Sequence, residues 1–240
     1  MILLTDPKIL FLKPRKVAGT SFEIALSKFA DQNSIITPIS KDDEITRNNL
    51  GFRGAQNSFM TPLESLMTLD SSSLKDFIRR RRTKKYWNHI STKLAKQRLG
   101  HALWTQSFKI SIVRNPYDMA VSRYFWRKKP TEYSSVDFEN FCLSHRESFK
   151  DNLEQYFIGG NEVIDFYIRY ESIHQDILKL EQKFPELKGL AEIFAQIKAK
   201  GQYRPRNAST SEMFSQAPNA KALITELCRF EIEKFGYQCP

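Results

Sequence analysis

The sequence has few cysteines, no long apolar run and no export signal. Its three cysteines, Cys142, Cys228 and Cys239, lack the CxxC or Cys/His spacing of a metal site and predict no disulfide framework. No stretch approaches the ~18–20 apolar residues of a membrane span. Residues 8–13 hold only four apolar residues between two lysines, too few for a signal peptide. These absences predict a reduced, soluble protein without stable membrane insertion.

What the sequence has in excess is positive charge. Its 240 residues carry 37 Lys and Arg against 27 Asp and Glu, which gives a formal net charge of +10 and a pI near 9.5. The apolar share of 41% and the aromatic share of 12% support a packed core and exclude a disordered chain. The charge predicts an anionic partner: a nucleic acid, a membrane surface, a nucleotide, or a sulfated or phosphorylated glycan.

The chain is interpreted as one domain, residues 1–240, because it contains neither repeats nor a long low-complexity linker. Short apolar runs between turn residues predict strands, and apolar residues at helical spacing predict helices between them. The predicted strands are residues 9–12, 34–37, 84–88, 108–113 and 163–170. Helices are predicted after a cap at Thr20 or Ser21, from the capping box at residues 61–64, and from Ser91 to before Gly100. Further helices are predicted after Arg114-Asn-Pro, around Ile173 and over residues 221–235. This alternation is typical of a three-layer α/β/α domain with a mostly parallel central sheet.

The first candidate site is the loop at residues 14–21, between the first predicted strand and a helix. Gly19 permits a close approach of the backbone, and the free N–H groups of a helix start can bind an anion. Lys16, Thr20 and Ser21 add further donors. The loop is not a Walker A motif, because GxxxxGK(S/T) is absent and the lysine precedes the glycine. Alone, the pattern predicts either a phosphate cradle or an ordinary turn capped by Thr20 or Ser21.

The second candidate site lies at residues 112–124. Arg114 ends a predicted strand, and Ser122 follows eight residues later in the next helix. An arginine at a strand end can bind a phosphate bidentately, and a serine hydroxyl can add another donor. The structural alternative for Arg114 is an ion pair with Asp118. This segment therefore predicts a second anion site or a local salt bridge.

Together, the two segments resemble the sulfotransferases that use 3′-phosphoadenosine 5′-phosphosulfate (PAPS), particularly their carbohydrate-sulfotransferase-like branch. Residues 16–21, Lys-x-x-Gly-Thr-Ser, are similar to the 5′-phosphosulfate loop of that family. Residues 113–124, Val-Arg-Asn-Pro-Tyr-Asp-x-x-x-Ser-x-Tyr, are similar to its 3′-phosphate motif, with the same spacing from arginine to serine. Weaker similarity extends through residues 165–171 and 231–237. The sequence departs from the family at Val17-Ala18, where many members have Thr-Gly, and this change makes the loop less flexible.

The resemblance implies PAPS as the sulfuryl donor and a P-loop-like fold. Sulfuryl transfer, like phosphoryl transfer, depends on positioning and charge stabilisation by the protein. Lys16 would contact the bridging oxygen of PAPS and stabilise the leaving phosphate. The other loop residues that would bind the 5′-phosphosulfate are Arg15, Gly19, Thr20 and Ser21. No metal ion is implied.

The same resemblance implies that Arg114 and Ser122 bind the 3′-phosphate, the group that distinguishes PAPS from ATP. In related enzymes a basic loop late in the chain closes over this phosphate. Arg204 and Arg206 lie in such a loop here and are candidates for this role. The alternative is a turn with exposed charges.

A base must take the proton from the acceptor hydroxyl, and histidine is the commonest residue in this role. His89 follows the strand predicted at residues 84–88, which places it at the ligand-binding edge of the sheet. Its neighbours also resemble the histidine-bearing stretch of the family. His101 is the reserve candidate, although the chain there turns toward the opposite edge. The two remaining histidines, His145 and His174, fall in predicted helices. The sequence therefore predicts His89 as the base.

Two further features are assigned without a unique role. Residues 79–85, Arg-Arg-Arg-Arg-Thr-Lys-Lys, are the densest charge run of the chain. Such a run is either a solvated face or a rim that attracts an anionic acceptor, such as a glycan or a lipid head group. The tryptophans, Trp126 among them, are assigned to the core rather than to stacking platforms.

We expect a PAPS-dependent sulfotransferase that acts on a hydroxyl of a carbohydrate or glycolipid. Its partners would be PAPS, the product 3′-phosphoadenosine 5′-phosphate (PAP) and an anionic glycan acceptor, without nucleic acid. The first rival function is a P-loop-type nucleotide or small-molecule kinase, against which the missing Walker lysine argues. The second is a non-enzymatic polyanion or nucleic-acid binder, motivated by the charge of +10. The first predicted strand begins within ten residues of Met1, so we expect a cytoplasmic enzyme, with a chain trimmed from a membrane-anchored form as the alternative.

Overall fold

The computed structural model describes residues 1–61, 63–64, 83–129, 132–197, 204–205 and 208–240. Its strands are β1 (Ile2–Leu3), β2 (Ile9–Phe11), β3 (Ile35–Ile36), β4 (Phe108–Val113), β5 (Phe157–Ile158), β6 (Asn161–Glu162) and β7 (Phe166–Arg169). Strands β5 and β6 form an antiparallel pair, and the others form one sheet in the order β3-β1-β2-β4-β7. Since β1 is antiparallel to both neighbours while β2, β4 and β7 pair in parallel, four of the five strands run in one direction. The mixed α/β class with a mostly parallel sheet is therefore confirmed.

Helices surround this sheet in the described part of the chain. They are α1 (Gly19–Leu26), α2 (Lys41–Asn49), α3 (Thr92–Gln106), α4 (Pro116–Lys128), α5 (Ser135–Ser144), α6 (Ile173–Lys183), α7 (Leu190–Gln196), α8 (Thr210–Ser215), α9 (Pro218–Leu227) and α10 (Arg229–Phe235). Among the residues that the structure describes, no helix is both long and apolar enough to cross a membrane.

Alternate residues of the central strands pack into different apolar clusters, because side chains along a strand point to opposite faces. Ile9 and Phe11 of β2 join Ile110 and Ile112 of β4 in a cluster with α1, α6 and α7. Leu10 instead packs in a cluster with α3. A further cluster joins α4, α5, α8 and α9. Strands β2 and β4 are thus buried by apolar packing, which gives the residues after their carboxyl ends a defined position.

The predicted strands at residues 9–12, 34–37 and 108–113 are confirmed as β2, β3 and β4. The strand predicted at residues 163–170 is confirmed only in its second half, as β7. Most residues of these strands are apolar, and those of β2 and β3 are fully buried. Local β propensity and burial favour the same structure here, so the sequence pattern was sufficient.

The strand predicted at residues 84–88 is wrong. Lys84 makes only an isolated bridge with Phe59. His89, which follows, adopts a φ of 60°, a left-handed conformation that strands do not contain. Residues 84–89 are therefore an irregular segment, and contacts with residues distant in the sequence hold it in place.

Helix positions were predicted better than helix ends. α1, α4 and α6 begin within a few residues of their predicted starts. The residue before α1 is Ala18 in a left-handed conformation, so the predicted capping by Thr20 or Ser21 is wrong. The helix predicted over residues 221–235 consists of α9 and α10, which are separated at Cys228. α3 begins after Ser91 as predicted but resumes beyond a break at Gly100, which has a φ of 78°.

The helix predicted from residue 61 falls mostly outside the described residues. The predicted capping box is present, because the Thr61 N–H donates to the Glu64 carboxylate and the Glu64 N–H donates to the Thr61 hydroxyl. Residues 65–82 lie outside the described part of the chain, and they include most of the basic run at residues 79–85.

Candidate functional site

A cavity of about 800 Å³ lies at the edge of the sheet where the parallel strands end. Residues 13–21 after β2, Arg114 after β4 and Tyr170 after β7 contribute to its wall. The predicted site residues that also lie in the described part of the chain all line it: Arg15, Lys16, Gly19, Thr20, Ser21, His89, Arg114, Ser122 and Arg204. Arg206, the remaining candidate, lies outside the described residues. The fold thus brings together two motifs separated by about a hundred residues of sequence.

The loop at residues 14–21 is shaped by its backbone. Lys16 and Ala18 adopt φ angles of 63° and 60°, and this left-handed region costs a non-glycine residue about 1–2 kcal/mol. Gly19 is closely packed, since a Cβ atom there would lie 3.0 Å from Cγ of Lys13. α1 begins directly after this turn without a side-chain cap. The first N–H groups of α1 are therefore available to an anion.

A buried ion pair between Lys13 and Glu23 lies next to the loop at residues 14–21. Lys13 Nζ lies 2.8 Å from the Glu23 carboxylate, and both side chains are almost completely buried. Arg47 approaches the same carboxylate at 3.9 Å. Burial would raise the pKa of Glu23, but the neighbouring positive charges, chiefly Lys13, lower this pKa to about 2. The pair ties the start of the loop to α1. The sequence prediction missed it, although a lysine directly after a buried strand was the available signal.

His89, at the end of the irregular segment at residues 84–89, lies beside this loop. Its Nδ1 lies 2.9 Å from the carbonyl oxygen of Lys13. Because a carbonyl only accepts, Nδ1 donates and Nε2 carries the lone pair of the ring. Burial lowers the pKa of His89 to about 3, and the positive charges of Lys13 and Arg15 contribute to the decrease. His89 is thus a neutral imidazole near pH 7, whereas the reserve candidate His101 is exposed and is not part of the cavity wall.

Arg114 forms the ion pair that was the structural alternative for this residue. Its Nε donates to the Asp118 carboxylate at 2.7 Å, and its Nη1 donates to the Lys16 carbonyl at 2.8 Å. The guanidinium also lies 4.1 Å from the ring centroid of Tyr170. The bond to Lys16 connects the two motifs directly. These contacts use only part of the N–H donors of the guanidinium, so the ion pair does not exclude a phosphate ligand.

Asp118 pairs with Arg204 as well as with Arg114. Arg204 donates from Nη1 to Asp118 and from Nη2 to the Thr210 hydroxyl, and that hydroxyl donates to Asp118 at 2.9 Å. Burial would raise the pKa of Asp118, but the two arginines outweigh this effect and lower it. Two guanidinium groups thus share one carboxylate, which leaves this group of residues with a net positive charge. We call Arg114, Asp118, Arg204 and Thr210 the arginine end of the cavity, and residues 13–21 with His89 the loop end.

The assignment of Trp126 to the core is wrong. This side chain is 45% exposed and lines the cavity. It lies four residues after Ser122 in α4, so the two residues share one face of the helix. Lys16 Nζ lies 4.9 Å from the centroid of its ring. The spacing from Ser122 was the sequence signal that could have placed Trp126 in the site.

No protein-family model, curated protein or solved structure matches this chain. The function is therefore argued from the chemistry of the cavity. The loop end and the arginine end each offer N–H donors and positive charge, which suits a ligand with more than one anionic group. A neutral imidazole at the loop end can accept a proton.

Proposed function

We propose that this protein is a PAPS-dependent sulfotransferase that transfers a sulfuryl group to a hydroxyl of a carbohydrate or glycolipid. The convergence of the loop end, the arginine end and a neutral imidazole in one cavity carries the proposal. A phosphate-binding loop alone suits many nucleotides, but a second anion site suits the 3′-phosphate of PAPS. In this proposal, residues 1–240 form one cytoplasmic domain with the three-layer, P-loop-like architecture of the family.

The proposed reaction uses His89 and Lys16 on opposite sides of the sulfuryl group. His89 Nε2 takes the proton of the acceptor hydroxyl while the hydroxyl oxygen attacks sulfur. The bond between sulfur and the bridging oxygen breaks, and its electron pair leaves with PAP. Lys16 stabilises the charge that develops on this oxygen. The N–H groups of Gly19, Thr20 and Ser21 hold the 5′-phosphate, so the reaction needs no metal ion.

The arginine end binds the 3′-phosphate in this proposal. Arg114, Arg204 and Ser122 supply its donors, and all three line the cavity. Asp118 reduces the repulsion between the two arginines before the donor binds. The phosphate then takes up the N–H groups that Asp118 and Lys16 do not use. Arg206 is also assigned to this phosphate, on the resemblance alone.

Calorimetric titration with PAP, adenosine 5′-monophosphate and ATP–Mg²⁺ tests the proposal. We expect PAP to bind at least about tenfold more tightly than the monophosphate, because charge-assisted hydrogen bonds to the 3′-phosphate are lost in the latter. We also expect radiolabelled PAPS to transfer its sulfuryl group to a glycan acceptor. Lys16→Ala should abolish transfer, and the matched control Lys93→Ala, an exposed lysine on α3, should not.

Two results would contradict the proposal and support its rivals. Tight binding of ATP–Mg²⁺ without binding of PAP would favour the kinase. Strongly salt-dependent binding of DNA or RNA that survives Lys16→Ala and Arg114→Ala, without binding of PAP, would favour the polyanion binder.

A further inference from the structure

The ring of Trp126 lines the cavity, and the proposed donor-binding groups leave it without a role. The side chain is 45% exposed, an unusual state for a tryptophan in a folded protein. Its neighbours on α4, Ser122 and Arg127, line the same cavity. A half-exposed tryptophan in a ligand cavity offers a flat apolar face on which a ring of the ligand can stack.

The position of this ring favours the acceptor over the adenine of the donor. Lys16 Nζ lies 4.9 Å from the centroid of the Trp126 ring. In the proposed reaction, Lys16 contacts the bridging oxygen beside the sulfuryl group. The ribose and the 5′-phosphate separate adenine from that oxygen, whereas the acceptor hydroxyl must touch the sulfuryl group to attack it. A ring within reach of the Lys16 side chain is therefore nearer to the acceptor hydroxyl than to adenine in this proposal.

Lys16 also occupies the face that a ligand would use. Its ammonium group lies over the Trp126 ring, in a cation–π contact. A sugar stacked on this face would occupy the position of the ammonium group, so Lys16 must leave the ring before an acceptor can stack there. Binding of the donor draws Lys16 toward the phosphosulfate and uncovers the ring.

We propose that Trp126 is the platform on which a pyranose ring of the acceptor stacks, and that Lys16 covers this platform until the donor is bound. The inference rests on the proposed function, because it takes Lys16 as a ligand of the donor. The Lys16 ammonium group and a stacked sugar exclude each other on this ring face, and the donor attracts Lys16 away from it, so donor and acceptor bind cooperatively, with the donor first. By linkage, the acceptor strengthens donor binding by the same factor.

Acrylamide quenching of tryptophan fluorescence tests whether Lys16 covers the ring. The contribution of Trp126 is the difference between the wild-type protein and Trp126→Phe. We expect PAP to increase the quenching of this contribution. Lys16→Ala should increase it without PAP, and PAP should then add nothing. A decrease on PAP binding would place adenine on the ring and overturn the proposal, as would no change in Lys16→Ala.

Trp87→Phe is the matched control for this measurement. The Arg98 guanidinium lies 4.9 Å from the centroid of Trp87, so Trp87 has a similar cation contact, but it is not part of the cavity wall. The PAP-dependent change in quenching should persist in this variant. Its loss there would assign the change to Trp87 and would also overturn the proposal.

Saturation-transfer NMR with methyl β-D-glucopyranoside tests the stacking itself. We expect transfer to the sugar's ring protons with PAP present, and a severalfold weaker signal without PAP or in Trp126→Ala. The PAP affinity of Trp126→Ala should stay within about threefold of wild type. The proposal would be overturned by a sugar signal that is unchanged in Trp126→Ala, or by one that is the same with and without PAP. So would a tenfold loss of PAP affinity.

The controls separate this proposal from the proposed function. If the wild-type protein binds no PAP, the sulfotransferase assignment fails, while quenching in Lys16→Ala still reports whether Lys16 covers the ring. If PAP binds but Trp126 has no influence on the sugar signal, only the platform fails. Thermal denaturation establishes that each variant is folded, and Trp126→Phe is the milder change for comparison.

Discussion

The loop end and the arginine end of the cavity are held in place by different forces. At the loop end, the backbone of Lys16, Ala18 and His89 is left-handed, and a buried ion pair lies beneath it. Such strain persists only where surrounding packing over-determines the conformation. At the arginine end, the partly exposed carboxylate of Asp118 joins two guanidinium groups.

This difference indicates how each end of the cavity would bind a phosphate. The N–H groups at the start of α1 have no side-chain cap to displace, so the loop end is prepared for an anion before binding. In the proposed complex, a phosphate at the arginine end would share the guanidinium groups with Asp118, and part of the hydrogen bonding would be redistributed. The loop end is therefore sensitive to backbone changes, and the arginine end to changes of charge and donor geometry.

The largest effect is expected from His89→Asn at the loop end. Asparagine tolerates the left-handed backbone, so the variant removes the base while preserving the chain path. We expect turnover with radiolabelled PAPS to fall by about 10²–10⁴-fold. The affinity for PAP should stay within about threefold of wild type. His101→Asn is the control and should retain turnover. Full turnover in His89→Asn would show that His89 is not the base.

A smaller effect is expected from Arg114→Lys at the arginine end. Lysine keeps the charge but loses the planar fork of donors. We expect the affinity for PAP to fall by about tenfold to a hundredfold, with a much smaller loss for adenosine 5′-monophosphate. Calorimetric titration of both ligands measures the difference, and Arg229→Lys, an exposed arginine on α10, is the control. Equal losses for both ligands would mean that Arg114 only supports the structure.

A third effect concerns the dependence of stability on pH. The pKa of His89 is lowered from 6.5 to about 3 in the folded protein, so between these values the unfolded chain binds the proton more readily. Its contribution to stability is complete above pH 6.5 and is lost as the pH falls toward 3. We expect the free energy of unfolding of the wild type to fall relative to His89→Asn by up to about 1.4 kcal/mol per pH unit in this range. Urea denaturation of both proteins at pH 7, 5 and 4 measures the slope. Parallel curves would show that His89 is not held neutral by burial.

The smallest effect is expected from Ala18→Gly. Glycine removes the left-handed strain at Ala18 but increases the entropy of the unfolded chain, so the net stabilisation is at most about 1 kcal/mol. The same substitution at Ala102, which is exposed in α3, should destabilise the protein by about 1 kcal/mol. Urea denaturation compares the two. If both variants are destabilised alike, Ala18 carries no strain and the contrast between the two ends of the cavity is weakened.

Several strands and helices whose sequence pattern spans only a few neighbouring residues were predicted correctly. β2 and β4 are apolar runs between turn residues, and α4 begins at the Asn-Pro pair that follows Arg114. The motif residues were named from the sequence because they stand next to these elements. Their meeting in one cavity follows from the parallel pairing of β2 with β4.

The features that the sequence did not reveal depend on contacts between distant residues. Asp118 and Arg204 are 86 residues apart in the sequence but form an ion pair in the folded chain. His89 was expected after a strand, but its position comes from a hydrogen bond to Lys13, 76 residues earlier. Neither contact leaves a periodic pattern that could be recognised beforehand.

By itself, then, the sequence determined the shortage of cysteine, the excess of positive charge, the alternation of strands and helices, and the two segments for which anion binding is proposed. These follow from composition and from preferences within a few residues of the chain. The tertiary structure alone decided which charges pair, which histidine is buried beside the loop, and that Trp126 faces the cavity. Those outcomes depend on burial and on approach between distant segments, because desolvation and charge pairing act through space rather than along the sequence.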